Sequence, residues 1–217
     1  MKGFSKPLLL ISVTLILDQV LKFWIKLNMT LGQEFPILGD RGFIHFTENN
    51  GMAFGLELGG EAGKLALSLF RIIAIVGIGY GIVYMIKKDY HKGLILCVSL
   101  IFAGALGNMI DSAFYGVIFS ESTWYEKAIL MPPEGGYSSF LHGKVVDMFY
   151  FPLISGNYPS WLPIWGGEDF VFFRPVFNLA DAAISVGVII ILIFQKEYLK
   201  EEESHELDTE NSEVLEK

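Results

Sequence analysis

The chain has 217 residues, 52% of them hydrophobic and only 18% charged, with a mean hydropathy of +0.45. Soluble domains usually carry about a quarter charged residues, so an ordinary soluble domain is excluded, and the single Cys97 cannot found a disulfide framework or a cysteine-rich metal centre. The net charge of −8 is mostly a C-terminal run: Glu201 to Glu216 set against Lys217 carry −7, leaving −1 on residues 1–200 and no basic patch to hold a nucleic-acid backbone.

Four apolar segments follow one another along the chain. The first covers 7–25, with Leu8 to Leu17 uncharged; it lacks a small-x-small cleavage site and is read as a retained span. Segments 65–86 and 93–110 come next, carrying Arg71 and no charge respectively, and the last covers 176–194 with Asp181 as its one charge. About 20 apolar residues cross a hydrocarbon core, and backbone surrounded by lipid must be helical because no water is there to bond it. Lys2 and Lys6, then Lys87, Lys88 and Lys92, then Lys196 and Lys200 flank these segments on one side. The positive-inside rule therefore puts both termini and the short basic connection in the cytoplasm, and the connections 27–64 and 111–175 outside.

The outer connections read as folded. Residues around Phe43-Ile44-His45-Phe46 suggest a short strand or two, and the aromatics Trp124, Tyr125, Trp161 and Trp165 suit an interfacial segment. The fold class expected is an α-helical membrane protein: four transmembrane helices with a small extracytoplasmic β-sheet and an interfacial segment. Residues 1–200 form one domain in this reading, and 201–217 form a disordered acidic tail.

Polar residues stand where lipid should exclude them. A charge at a membrane-helix centre costs roughly 2.5–3.5 kcal/mol on insertion scales and usually faces a functional interior. Asp18 and Lys22 are four residues apart on segment one, so they share a face and can pair. Asn108 and Asp111 end segment three; Asn178 and Asp181 open segment four. Given the orientation above, these ends meet near the outer membrane surface, within reach of Asn49 and Asp147 from the outer connections. Asn108 and Asn178 read first as interhelical or capping groups rather than as direct participants in chemistry, and Asn49-Asn50-Gly51 alone reads as a turn. There is no HExxH, no GxSxG and no ligand-like spacing among the histidines. What remains is carboxylate. Two neighbouring aspartates can share a proton, one taking a proton from water while the other polarises a carbonyl. Asp111, Asp147 and Asp181 are the candidates, and spacing does not choose between them.

Five segments then resemble one family, in order. They are Asp18-Gln19-Val20-Leu21-Lys22, Asn49-Asn50-Gly51-Met52-Ala53-Phe54-Gly55, Gly104-Ala105-Leu106-Gly107-Asn108-Met109-Ile110-Asp111, Val145-Val146-Asp147 and Phe177-Asn178-Leu179-Ala180-Asp181. They resemble the motifs of the lipoprotein signal peptidases, or signal peptidase II, over roughly residues 8–195. The resemblance implies an aspartic endopeptidase of the bacterial cytoplasmic (inner) membrane, with its active site near the outer leaflet. It implies Asp147 and Asp181 as the catalytic dyad, and Asp18, Lys22, Asn49, Gly51, Asn108, Asp111 and Asn178 as binding or positioning residues. The implied partners are lipidated preprolipoproteins, cut just before the diacylglyceryl-bearing cysteine, and membrane phospholipids. No cofactor, no metal and no nucleic acid are expected. Two features depart from the family pattern: Ser112 follows Asp111 where an arginine is usual, leaving Arg174 as a candidate substitute, and 117–143 and 152–173 are long. The rival class is a proton- or cation-coupled carrier using the same carboxylates, which four spans without an inverted repeat fit poorly.

The lysine pattern makes a direct prediction. Impermeant thiol reagent applied from outside should label Ser138→Cys and spare Ser204→Cys; the reverse pattern would invert the orientation.

Overall fold

The computed structural model describes residues 3–50, 60–152, 154–157, 159–161, 163, 167–172 and 175–215. In chain order it contains α1 (Ser5–Asn28), β1 (Glu34–Pro36), β2 (Phe43–Asn49), α2 (Gly60–Lys87) and α3 (Lys92–Ile110). A π-helical turn over Asp111–Tyr115 and α4 (Gly116–Ile118) continue α3, and β3 (Val145–Tyr150), β4 (Ile154–Asn157), β5 (Asp169–Phe172), β6 (Val176–Phe177) and α5 (Leu179–Leu215) follow. Among the described residues, four helices are long and apolar enough to cross a membrane, as expected from the hydropathy. Contacts divide the chain into two compact units: Met1–Gln19, Leu67–Met109 and Leu179–Lys217 in one, Val20–Ala66 and Ile110–Asn178 in the other.

The first unit is helical. Leu8, Leu9, Phe70, Ile73, Val76, Leu192 and Ile193 all lie more than half exposed, a surface that water would not tolerate and lipid would. With no hydrophobic drive between lipid-facing helices, close backbone approach does the packing. Gly104 on α3 lies against α5, where an added Cβ would come 2.3 Å from the Ala180 carbonyl oxygen. Gly107, one turn on, would place a Cβ 2.8 Å from Asp18 Oδ2, and Gly187 one 2.7 Å from the Cys97 carbonyl oxygen. The Gly-x-x-Gly spacing thus has a steric cause.

The second unit carries the sheet. Its strand order is β1-β2-β3-β6, all antiparallel, and β4 pairs separately with β5. Ile25, Met29, Phe46, Tyr115, Phe119, Ala128, Val146 and Met148 form its core, with the rings of Phe23, Tyr115 and Phe119 meeting edge to face. The long 117–143 segment returns to the end of α3. Its amides at Ser138, Leu141 and Gly143 donate to the carbonyls of Gly116, Ala113 and Ser112; the Gly116 carbonyl is one that a helix end would otherwise leave unbonded.

Three expectations are corrected. Segment three does not end at Ile110: the returning amides let the helix run on to Ile118, so Asp111 lies inside it and not at an exit. Segment four does not begin at Val176, because Val176 and Phe177 pair with Tyr150 and Phe149 as strand and the helix starts at Leu179. The acidic stretch expected to be disordered continues α5 to Leu215; its glutamates and leucines are good helix formers even without an apolar stripe.

Gly104→Ala should lower the thermal midpoint of the detergent-solubilised protein, because the methyl meets backbone oxygen that no rotamer change can move. Overpacking of this kind costs about 1–3 kcal/mol, at roughly 2–4 °C per kcal/mol for a chain of this size. An unchanged midpoint would show that α3 and α5 do not need this approach.

Candidate active site

Asp147 sits at the centre of β3 and is 3% exposed. A carboxylate so buried needs donors on both oxygens, and two asparagines supply them. Asn178 Nδ2 donates to Oδ1 at 2.7 Å, and Asn49 Nδ2 donates to Oδ2. Sheet pairing delivers Asn49: it stands opposite Val145, diagonal to Asp147 on one face of the β2–β3 ladder. Asn178 arrives because β6, which pairs with the far end of β3, ends one residue before it.

Asp111 is engaged differently. Its Oδ2 forms a fully buried ion pair with Lys22 Nζ at 2.8 Å and accepts the Val146 amide at 3.3 Å. The same oxygen therefore ties α1 to the backbone beside Asp147. Three elements brought together by an ion pair and an amide make a brace.

In the helical unit, Asp181 lies in the first turn of α5, and its Oδ1 accepts from Asn108 Nδ2 at 2.7 Å. A carboxylate there also faces the positive end of the helix dipole. Asp18, 1% exposed, accepts the Ala180 amide at 3.0 Å, satisfying one of the unbonded donors of the α5 N-terminus. Gln19 Nε2 spans from Asp18 Oδ2 (3.1 Å) to the Gly107 carbonyl (3.3 Å), locking the three helices' polar groups together.

The sequence-derived residues thus resolve into small clusters. Asn49, Asp147 and Asn178 form one; Lys22 and Asp111 a second; Asn108 and Asp181 a third; Asp18 with the Ala180 amide a fourth. Lys22, expected from its spacing to pair with Asp18, forms an ion pair with Asp111, which helical periodicity cannot show because the partner is far along the chain. Gly51, like Met52 to Gly55 and Arg174, lies outside the described residues.

Sequence reasoning missed a further group. Lys26, Glu48 and Ser122 are buried together, with Lys26 Nζ bonded to Glu48 Oε1 and, at 2.9 Å, to Ser122 Oγ. Lys26 follows Lys22 by one helical turn, so both lie on one stripe of α1; that spacing was the available signal. Gln19, beside Asp18 in the first motif segment, is a further such residue. Lys64, in the first turns of α2, donates to Asn50 Oδ1 at 3.0 Å and to the His142 carbonyl at 2.7 Å, tying the residue after Asn49 to the 117–143 segment. Near it, burial pushes the Tyr137 phenol well above its ordinary range, so it stays a neutral acceptor for the Lys144 amide at 2.7 Å. Among the described residues, no three histidine, cysteine or carboxylate side chains are grouped as metal ligands.

The chemistry such an arrangement supports is proton transfer by carboxylates whose rotamers are held by amide donors. An amide orients a carboxylate without cancelling its charge, whereas an ammonium at 2.8 Å largely does. Asp147 and Asp181 accept from side-chain amides, and Asp111 from an ammonium and a backbone amide.

Comparison with known proteins agrees with that chemistry. The family described as Signal peptidase (SPase) II matches residues 10–196. A lipoprotein signal peptidase of Porphyromonas gingivalis is 54% identical over 185 residues, 85% of this chain and 80% of that protein. One of Amoebophilus asiaticus is 36% identical over 209 residues, covering 94% and 84%. Two solved structures, each described as a bacterial membrane enzyme structure by the in meso method, align with TM-scores of 0.55 and 0.56. They are 26% and 27% identical and cover 88% and 87% of this chain and 88% and 90% of theirs. None of these matches supports the carrier reading. A match running almost from the first span to the end of the fourth, on four apolar helices with a small antiparallel sheet, shows that the chain belongs to the signal peptidase II family of multi-pass bacterial membrane enzymes.

Proposed function

We propose that this enzyme removes signal peptides from diacylglyceryl-modified preprolipoproteins, cleaving before the lipidated cysteine, with Asp147 and Asp181 as its catalytic carboxylates. The observation that carries the assignment is the asparagine clamp: Asn49 and Asn178 on Asp147, Asn108 on Asp181. Held in one rotamer, the ionised aspartate takes a proton from water as that water attacks the scissile carbonyl. The protonated one donates to the carbonyl oxygen, and the roles exchange as the tetrahedral intermediate collapses. Asp111 and Lys22 brace the strand that carries Asp147, and Asp18 anchors the helix that carries Asp181; these are positioning residues. Gly51 is assigned to substrate positioning on the family resemblance.

Both termini are assigned to the cytoplasm and the active site to the outer-leaflet side, on the lysine distribution. Bilayer phospholipids surround the four spans. The substrate's lipid then has a physical role. Two acyl chains, at about 0.8 kcal/mol per buried methylene, hold the modified cysteine at the outer interface and so restrict where the scissile bond can sit. A helical signal peptide alone slides more freely.

Purified enzyme incubated with the lipidated preprolipoprotein should release the signal peptide, and should cut the unlipidated form far more slowly. Equal rates would remove the lipid from the recognition. Asp147→Asn and Asp181→Asn should each lower kcat by roughly a thousandfold or more, and the double variant should be little worse, because the two act as one unit. Asp111→Asn should retain more turnover than either but lose thermal stability, since it leaves Lys22 buried against a neutral partner; breaking a buried pair costs about 3–5 kcal/mol. A dead Asp111→Asn beside an active Asp147→Asn or Asp181→Asn would reassign the catalytic pair.

A further inference from the structure

Glu48 precedes Asn49 on β2, and its side chain is 3% exposed. Oε1 accepts from Lys26 Nζ and, at 2.8 Å, from Ser122 Oγ, which itself accepts from Lys26. The Lys26 ammonium lies over the Phe119 and Tyr137 rings, 5.1 and 5.2 Å from their centroids. Oε2 is buried without a hydrogen bond among the described residues, with Lys144 Nζ 4.0 Å away. Stability is a weak reason for such a cluster, because desolvating two charges offsets most of their attraction, and an apolar pair of similar volume often serves as well.

Strand parity supplies a better reason. Ile44 pairs with Phe149, but the next pair is Thr47 with Asp147, so β2 spends two residues where β3 spends one. This bulge sets the phase of everything after it. With it, Asn49 stands opposite Val145 and shares a face with Asp147, while Glu48 stands opposite Val146 on the core face. Without it, Glu48 would stand opposite Val145, bringing a second carboxylate beside Asp147 and turning Asn49 away.

We propose that Glu48, tethered by Lys26 and Ser122, is a positioning residue that holds β2 in its bulged register and thereby keeps Asn49 on Asp147. The inference rests on the reading of Asp147 as a reacting carboxylate. The tether acts at the residue adjacent to the clamp, joins β2 to the end of α1 and to the 117–143 segment, and rewards only one of the two phases.

The test is cleavage of lipidated preprolipoprotein by the full-length enzyme, with kcat, KM and thermal midpoint measured together. Lys26→Met/Glu48→Met leaves no unpaired charge; it should keep the midpoint and KM but lose about tenfold or more in kcat, within the hundredfold that a misplaced group costs. Ser122→Ala should lose kcat in the same direction. In an Asn49→Ala background it should add no further loss, because both changes act through one hydrogen bond. Wild-type kcat in the methionine pair, or full additivity of Ser122→Ala with Asn49→Ala, overturns the proposal while leaving Asp147 in place. If the methionine pair fails to fold, the Ser122→Ala cycle decides. An active Asp147→Asn overturns the site assignment and the proposal together.

Discussion

Asp18, Lys22, Asp111, Asp147 and Asn178 are all 3% exposed or less, and burying such groups is costly unless each finds a donor, an acceptor or a counter-charge. The polar architecture of the molecule follows from that requirement. Asp18 meets it with the first-turn amide of α5, Asp111 with Lys22 and the Val146 amide, Asp147 with two asparagines. Every one of these partners lies on a different element from the residue it serves. Satisfying the charges therefore joins the elements.

The choice of partner separates the roles. An ammonium neutralises Asp111, which then holds a strand in place. Side-chain amides of Asn178 and Asn49 hold Asp147, and that of Asn108 holds Asp181. Asp18 uses its charge on a helix end, where the macrodipole favours an anion. Four acidic residues on apolar ground are thus each held by a partner from another element.

Close approach of backbone makes these partnerships reachable. Gly104 and Gly107 let α3 lie against the start of α5 and against Asp18. Gly143 lies where a Cβ would come 2.2 Å from the Asp111 carbonyl oxygen, and its own amide bonds Ser112. The long 117–143 segment is thereby accounted for in part: it bonds the carbonyls of the π-helical turn that holds Asp111 inside the helix. Ser112, 2% exposed beneath it, is a small side chain in a crowded place.

Much of this was legible in the chain. Apolar runs of membrane-spanning length, lysines on one side of them and polar residues at their ends are local patterns, and local patterns survive folding because lipid leaves the backbone only the helix. The motif segments named Asp147, Asp181, Asn49, Asn108 and Asn178 as a set. Hydropathy could not tell that Asp111 lies inside a helix, since the amides that extend it come from Leu141 and Gly143. Nor could it tell that Val176 and Phe177 are strand, because two apolar residues before a helix look like its first turn. The buried Lys26–Glu48–Ser122 cluster was hidden because its members are far apart in sequence and each alone resembles a surface residue. By itself the sequence determined the spans, their order and the identity of the polar residues, all set by composition within one helix length. Which donor each carboxylate receives, and which face of β2 Asn49 occupies, only the tertiary structure decided. Those depend on strand register, one bulged residue and contacts between segments distant along the chain, none of which leaves a period in the sequence.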